Sequence, residues 1–248
     1  MGKRPLVRKR GRGGMQFRAA VTNKIKPAKY PVFDLDGSYQ GNVIDIVHES
    51  GRDVPLSKVI FDDGSISFIP AVLGTKVGSK INFSLSAEIA DGNVTSIQNI
   101  PDGTIVCNVE KQFGDGGALI KSAGGNATVF SHTDKGVTLK LASGKFTTLN
   151  PKNRAMIGTL AGGGVGDRPF MRAGVKWRRF RTKGHKYPIV RGVAQAAYQH
   201  PHGGGRHQHV GQSSTVSRNA PPGALSLIHI SEPTRRYAIS YAVFCLKK

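Results

Sequence analysis

The sequence predicts an all-β body flanked by two basic segments, and three observations support this fold class. Short apolar stretches recur at intervals of about ten residues and are separated by Gly, Asp, Asn and Ser, as in strands joined by turns. Long helical periodicity is absent from the same region. The 36 Lys and Arg outnumber the 15 Asp and Glu, and their excess lies toward the ends of the chain.

The first half of the body contains five candidate strands, with a tight turn at Asp63-Gly64, where glycine supplies the positive φ of a hairpin. Five short strands suit a closed barrel of the oligonucleotide-binding type, which we assign to residues 35–110. Cys107 is expected to pack inside it as a small apolar residue. The candidate strands are 39–48, 57–62, 65–69, 80–87 and 104–110.

A second set of strands predicts a second small barrel over residues 111–170. Asp134-Lys135-Gly136 and Ser143-Gly144 mark two of its turns. The candidate strands are 118–122, 127–132, 137–141, 145–149 and 155–160.

Charge is distributed unevenly around this body. Residues 1–30 contain ten Lys and Arg and no acidic residue, whereas residues 31–110 contain four basic and eleven acidic residues, which we expect on a solvated face. Residues 111–150 contain five basic and two acidic residues, and residues 151–223 contain thirteen basic residues against Asp167 alone. A formal net charge of +21 makes a nucleic acid the leading candidate for the partner.

The two basic segments, residues 1–34 and 171–223, lack enough apolar residues for a core, so we expect them to order on their partner. Residues 176–187 interleave cationic side chains with three aromatic ones. This pattern favours contact with phosphates and stacking on exposed bases. The alternative is a solvated basic loop in which Trp177 or Phe180 packs against a barrel.

Four histidines surround a glycine run near the end of the second basic segment. His200, His202, His207 and His209 could share a Zn²⁺ ion, which would make the chain a metal-binding enzyme. Because cysteine partners and a rigid scaffold are missing, RNA contact by these side chains is favoured over a metal site. The other glycine run, at residues 162–167, lacks the Gly-Lys-Ser/Thr ending of a phosphate-binding loop.

Other classes of protein are disfavoured by composition. A run of about 18 apolar residues and a basic amphipathic helix are both missing, and no apolar stretch follows the basic start, so we expect neither a membrane partner nor a secretory signal. Two cysteines fit a reducing compartment rather than a disulfide scaffold. We predict no catalytic residues and no cofactor.

Several motifs occur in the order found in one known family. They are Arg8-Lys9-Arg10-Gly11-Arg12-Gly13, Ser86-Ala87-Glu88-Ile89, Val106-Cys107-Asn108-Val109-Glu110, Ile157-Gly158-Thr159-Leu160, Asp167-Arg168-Pro169-Phe170, His200-Pro201-His202-Gly203-Gly204-Gly205 and Ser217-Arg218-Asn219-Ala220-Pro221-Pro222-Gly223. Over residues 1–223 the chain therefore resembles the universal large-subunit ribosomal protein two family, in its archaeal and eukaryotic branch.

The resemblance implies an oligonucleotide-binding-type barrel followed by an SH3-like barrel, with extended arms in large-subunit ribosomal RNA near the peptidyl transferase region. It implies a non-enzymatic role in subunit assembly, subunit association and translation in the cytoplasm. The expected partners are rRNA, neighbouring large-subunit proteins and the small subunit across an intersubunit contact. The rRNA-binding residues that we predict are Arg8, Lys9, Arg10, Arg12, Arg18, Lys176, Trp177, Arg178, Arg179, Arg181, Lys183, Arg191, His200, His202, Gly203, Gly204, Gly205, Arg206 and Arg218.

Two features depart from the family pattern. Gln199 stands before the histidine loop where many relatives have an acidic residue, so a proton-handling role for such an acid is not expected here. After Gly223 the family continues into a basic tail, whereas residues 224–248 are rich in apolar residues. We interpret residues 224–248 as an atypical tail outside the native family sequence, without a function.

Overall fold

The computed structural model of this chain describes residues 11–32 and 37–211. Residues 21–171 form one compact unit, which we call the body. Residues 1–20 and 172–248 form the other unit, which we call the basic unit, and its described parts are residues 11–20 and 172–211. In the described part of the chain, no helix is long and apolar enough to cross a membrane.

In its described residues, 21–32 and 37–171, the body contains ten strands in one sheet, ordered β3-β2-β1-β4-β5-β10-β6-β7-β8-β9. Neighbouring strands are antiparallel except β4 and β5, which pair in parallel. The prediction of an all-β body is confirmed. The strands are β1 Tyr39–Val47, β2 Leu56–Phe61, β3 Ile66–Pro70, β4 Lys80–Phe83, β5 Val94–Ser96, β6 Ile105–Cys107, β7 Ala127–Thr133, β8 Gly136–Leu141, β9 Phe146–Leu149 and β10 Arg154–Ile157.

Four strand predictions were wrong in part, and one strand was missed. The strands predicted at 104–110 and 155–160 end early, at Cys107 and Ile157. The strand predicted at 80–87 ends at Phe83 because the chain then turns. The strand predicted at 118–122 is reduced to one bridge between Val109 and Leu119. Strand β5 was not predicted, because two of its three residues are Thr95 and Ser96. Both are buried, and their hydroxyls donate to the carbonyl oxygens of Leu85 and Pro151, at 2.6 Å each.

Two apolar clusters form the core, and they share strands. Met156 of β10 packs in one cluster, while its neighbours Ala155 and Ile157 pack in the other. Strand β6 behaves in the same way, with Cys107 in the first cluster and Val106 in the second. Successive residues of a strand point to opposite faces, so β6 and β10 form a common wall between the clusters. The division into an oligonucleotide-binding-type barrel at 35–110 and an SH3-like barrel at 111–170 stays a prediction.

Ala28 and Tyr30 anchor the N-terminal stretch of the body to its core. Ala28 and Tyr30 are both 4% exposed, and the Tyr30 ring packs edge-on against Phe83. The Tyr30 hydroxyl donates to the carbonyl oxygen of Asn108 at 2.5 Å, and burial, the largest cause, raises the pKa of this hydroxyl well above its usual value. Lys121 donates from Nζ to the carbonyl oxygen of Ala28 at 2.6 Å.

Among the described acidic residues of 31–110, two are buried instead of lying on the expected solvated face. Glu49 and Glu110 are buried, because both carboxylates are paired with basic side chains. Glu110 is fully enclosed and binds the Arg154 guanidinium at 2.7 Å. It also accepts hydrogen bonds from the backbone N–H groups of Gly116 and Arg154, at 3.1 and 3.0 Å. Buried carboxylates are tolerated when paired and hydrogen-bonded in this way.

Candidate nucleic-acid interface

The basic unit has no core in its described parts. No residue of 11–20 or 172–211 is buried. These two stretches contain eleven Lys and Arg and no Asp or Glu, so neither stretch contains an acidic side chain to balance its positive charge. A segment of this kind gains little from apolar burial and is repelled by its own charge.

One helix, α1, spans Ala173–Thr182 and carries four of the eleven basic residues. Alanine, lysine and arginine favour the helix, and Arg179 and Arg181 in its last turn face the negative end of the helix dipole. No side chain caps its start at Arg172. The prediction of an extended basic segment missed this helix.

Helix α1 ends in a Schellman motif. The backbone N–H of His185 donates to the carbonyl oxygen of Phe180 at 2.8 Å, and that of Gly184 donates to Arg181 at 3.2 Å. Gly184 has φ +72°, which glycine adopts readily. A side chain here would also lie 2.8 Å from the backbone of Arg18 and Ala19, so this turn brings the N-terminal stretch of the unit against the end of α1.

Basic and aromatic side chains pair along α1 at a spacing of four residues. The Arg181 guanidinium lies 5.3 Å from the ring centre of Trp177, which is 45% exposed. Lys176 Nζ lies 5.6 Å from the ring centre of Phe180 and 5.1 Å from that of Tyr187. These cation–π contacts hold flat rings and positive charges together at the surface, where bases and phosphates could contact both.

The second feature of the unit is a compact histidine loop. The imidazole of His200 lies over the backbone of Gly192, where any β-carbon would come under 3.0 Å from three ring atoms. The His200 and His202 rings are 4.8 Å apart between centres. The backbone N–H of His202 donates to Nδ1 of His200 at 3.0 Å, so the His200 imidazole is neutral with its proton on Nε2.

Backbone contacts fold the glycine run onto the residues before it. The N–H of Gly204 donates to the carbonyl oxygen of Gln195 at 3.1 Å, and the N–H of Gly203 donates to His200 at 2.9 Å. Gly204 has φ +84°, and a β-carbon there would lie 2.9 Å from the side chain of Ala197. The loop is therefore shaped by glycine, with its backbone close to the surface.

In the described part of the chain, the four histidines are not grouped as metal ligands. Across residues 11–32 and 37–211, no group of three or more His, Cys, Asp or Glu side chains is placed to hold a metal ion. His200 Nδ1 is occupied by the His202 N–H, and His209 Nδ1 lies 2.9 Å from the carbonyl oxygen of His207. The metal-binding alternative has no geometric support in these residues.

Most of the predicted RNA-binding residues lie in the basic unit. Arg12 and Arg18 belong to its N-terminal stretch, where Arg18 Nε donates to the carbonyl oxygen of Gly13 at 2.7 Å. Arg191 directly precedes the short 3-10 helix Gly192–Ala194. Helix α1 carries Lys176, Trp177, Arg178, Arg179 and Arg181, with Lys183 just after it, and the histidine loop carries His200, His202, Gly203, Gly204, Gly205 and Arg206. Arg8, Lys9, Arg10 and Arg218 lie outside the described residues.

Gly192 and Gly184 were missed as positioning residues. The pairs Lys176/Phe180 and Trp177/Arg181 could have indicated the helix, because residues four apart share a helix face. Gly184 follows at the distance expected of a helix terminator. Nothing local in the sequence indicates that the His200 ring lies on Gly192.

Comparison with known proteins matches residues 90–223 to the family described as Ribosomal Proteins L2, C-terminal domain. Large ribosomal subunit protein uL2 of Cenarchaeum symbiosum (strain A) is 76% identical over 224 residues, which cover 90% of this chain and 92% of that protein. The protein of the same name from Nitrosopumilus maritimus (strain SCM1) is 72% identical over 225 residues, covering 90% and 92%. The one from Sulfolobus acidocaldarius is 43% identical over 223 residues, covering 90% and 93%.

Proposed function

The chain belongs to the archaeal uL2 family of large ribosomal subunit proteins, and from this premise we propose that it is a structural constituent of the large subunit that binds large-subunit rRNA through its basic unit. Membership confirms the resemblance of the sequence motifs. It also supports a role in translation without catalysis, because the relatives are named as ribosomal proteins, a structural class.

The observation that carries the proposal is the composition of the basic unit in its described parts. Residues 11–20 and 172–211 contain eleven Lys and Arg, no Asp or Glu and no buried residue, and a polyanion would balance this excess of positive charge. RNA supplies closely spaced phosphates together with unpaired bases. The cation–π pairs of α1 suit both, since a phosphate can bind the cation while a base stacks on Trp177.

The histidine loop is the part of the basic unit that we propose to lie nearest the functional RNA core. We assign to this loop the approach to the peptidyl transferase region that the family resemblance implies. Its glycine backbone allows RNA to come close, and the neutral His200 imidazole carries an Nε2–H group that can donate a hydrogen bond. In this assignment the loop positions RNA, and the RNA itself catalyses peptide-bond formation. The proposed role also includes a part in subunit assembly and contacts with neighbouring large-subunit proteins and with the small subunit. The chain would carry out this role in cytoplasmic ribosomes.

The experiment that tests rRNA binding is a filter-binding titration of the full chain on purified large-subunit rRNA at increasing KCl. Contact with about eight phosphates gives a slope of log affinity against log salt on the order of −6 to −7. The variant R178Q/R181Q should make the slope less negative by about 2. The charge-matched control K76Q/K80Q, on exposed positions of the body, should leave the slope unchanged. A wild-type slope near −1 would overturn the proposal.

The loop assignment is tested by placing a side chain on its glycine backbone. Gly204→Val adds a β-branched residue at positive φ and against Ala197, which costs about 1 to 3 kcal/mol in loop geometry. We expect unchanged stability of the body but a lower yield or activity of large subunits carrying the variant. The matched control is Gly211→Val, where a β-carbon meets nothing within 4 Å. Wild-type yield and peptide-bond formation with Gly204→Val would refute the assignment.

A further inference from the structure

The sheet face formed by β7, β8 and β9 on the side away from the core carries an exposed pair of phenylalanines. Phe130 and Phe146 are 56% and 54% exposed, whereas Val129 and Leu149 on the same strands are buried. Strand geometry accounts for the alternation, because successive side chains point to opposite sides. We call this surface the β7–β9 outer face. Its members are Thr128, Phe130, Ser131, Thr138, Lys140, Phe146 and Thr148.

The two rings form one platform. Their centres are 4.9 Å apart with an interplanar angle of 65°, an edge-to-face contact. Strand β7 is irregular between Val129 and Ser131, so Phe130 occupies the extra position of a bulge. Bulges redirect a side chain relative to the regular strand. The arrangement keeps both rings at the surface, although water is a poor solvent for them.

The charge around the platform is positive. Lys140 is the cross-strand partner of Phe146, and Lys145 directly precedes Phe146 in the chain. Both lysines are exposed. None of the seven residues of the β7–β9 outer face is acidic. A ring surface beside ammonium groups matches an unpaired nucleotide, whose base stacks and whose phosphate takes the charge.

We propose that the β7–β9 outer face is a second RNA contact, in which one or two unpaired bases stack on Phe130 and Phe146 while Lys140 and Lys145 contact the flanking phosphates. The proposal rests on the proposed function, since it takes the same rRNA as partner. It adds a binding surface on the body, separate from the basic unit and absent from the residues predicted by sequence.

The size of the apolar patch favours bases over a protein partner. Stable protein interfaces bury about 800 Å² on each side around an apolar centre. Here two rings are surrounded by threonine, serine and lysine, which leaves apolar area for a base or two only. A docking protein segment is the competing occupant, and the tests below distinguish it.

The first test is binding of full-length variants to purified large-subunit rRNA. F130A/F146A should weaken binding on the order of tenfold or more. The salt slope should not change, because base stacking neutralises no phosphate and releases no counterions. F130Y/F146Y should retain wild-type affinity, since tyrosine keeps the ring. K140Q should weaken binding by an amount that shrinks as salt rises. The matched control I66A/L73A removes two exposed apolar side chains elsewhere on the body and should have no effect.

Thermal melts verify that each variant folds, and the exposure of both rings makes folding of F130A/F146A the expected result. Wild-type affinity of folded F130A/F146A would overturn the inference. The wild-type salt slope, measured in the same titrations, reports separately on the proposed function. The two proposals can therefore fail independently.

The second test is ultraviolet crosslinking of large subunits that contain the chain, followed by mass spectrometry of nucleotide-bearing peptides. We expect adducts on the peptides that contain Phe130 or Phe146. Adducts at Trp177 without any at these two positions would reject the second contact and leave the proposed function standing. A chemical crosslink from Lys140 to a neighbouring protein, with no nucleotide adduct on this face, would identify the competing occupant and overturn the inference.

Discussion

His200 is a residue whose protonation state follows from its contacts. Its Nδ1 accepts the backbone N–H of His202, which only an unprotonated nitrogen can do. Partial burial, and secondly the nearby His202, lower the pKa of His200 from its usual value of 6.5. Because the lowered pKa means that the folded loop binds the proton less readily, the stability contributed by neutral His200 is fully present above pH 6.5 and is lost as the pH falls through the lowered pKa.

The prediction is a His200 titration midpoint below 6.5 in the full chain, with the proton on Nε2 at neutral pH. Imidazole ¹⁵N shifts recorded across the pH range measure both quantities. His202→Ala removes the second cause and should raise the midpoint while leaving it below 6.5, because burial remains. A wild-type midpoint at or above 6.5 would contradict the described loop geometry.

Glu110 is a residue of the body whose charge is fully enclosed. Replacing it with Gln leaves the Arg154 guanidinium partly buried without its counter-charge. We expect Glu110→Gln to lower the free energy of unfolding by about 3 kcal/mol, as found when one partner of a buried ion pair is removed. Denaturant unfolding measures the change.

The control for Glu110→Gln is a surface pair in the same body. Asp102 contacts His132 at 2.7 Å, but both side chains are substantially exposed. Asp102→Asn should change stability by less than about 1 kcal/mol. Equal effects of the two substitutions on the free energy of unfolding would show that the buried Glu110–Arg154 pair stabilises the body no more than an exposed pair does.

At the scale of elements, α1 differs from every strand of the body in having no buried residue. Helices of about ten residues are marginal in water without packing. In the free protein we expect the amides of α1 to exchange with solvent much faster than those of β2, and to become protected in large subunits. Hydrogen exchange with mass spectrometry reports both states. Strong protection of α1 in the free protein would contradict its dependence on RNA.

Gly174→Ala raises the intrinsic helix propensity of α1 and so tests whether helix formation limits its hydrogen exchange. A β-carbon at Gly174 meets nothing within 4 Å, so the substitution adds no contact. Alanine favours a helix over glycine by about 1 kcal/mol, which should slow exchange in α1 about fivefold. Exchange in β2 should not change. An unaltered rate in α1 would mean that a barrier other than helix formation limits its exchange.

The sequence predicted the elements whose signal is local and missed those fixed by distant contacts. Strands β1, β2, β3, β7, β8 and β9 lie within a residue of their predicted bounds or inside them, because they alternate apolar and polar residues between turn signals. Strand β5 depends on acceptors for Thr95 and Ser96 from remote loops. The ring of His200 on Gly192 likewise depends on tertiary folding. The charge pattern predicted basic segments at 1–34 and 171–223, and these bounds stay a prediction, whereas helix α1 is indicated only by the four-residue spacing of its basic and aromatic residues.

At the scale of the whole molecule, the two apolar clusters are joined by β6 and β10, which contribute side chains to both. Loss of either strand would expose both clusters, so the body is expected to unfold as one cooperative unit. The described residues 21–32 belong to this unit, since Tyr30 packs in the first cluster. The described parts of the basic unit have no buried residue and so add no core to that cooperative unit.

Limited trypsin digestion of the free protein should therefore leave a resistant fragment close to residues 21–171. The basic unit is rich in trypsin sites and lacks buried residues in its described parts, so it should be removed first. Cleavage after Lys29 should be slow, because it requires release of Ala28 and Tyr30 from the body. Mass spectrometry of the fragment gives its ends directly.

A matched pair of variants identifies the cause of that resistance. Tyr30→Ala removes the hydroxyl that donates to Asn108 and the ring that lies 6.0 Å from Phe83 and 5.5 Å from the Arg154 guanidinium. The start of the resistant fragment should then move to residue 30, because Tyr30 is the larger of the two buried side chains, Ala28 and Tyr30, that anchor this stretch. Val32→Ala, at an exposed position two residues away, should leave the fragment unchanged. If wild-type protein is already cut rapidly after Lys29, the stretch before β1 is not held by the body, and the boundary of the basic N-terminal segment lies near residue 34.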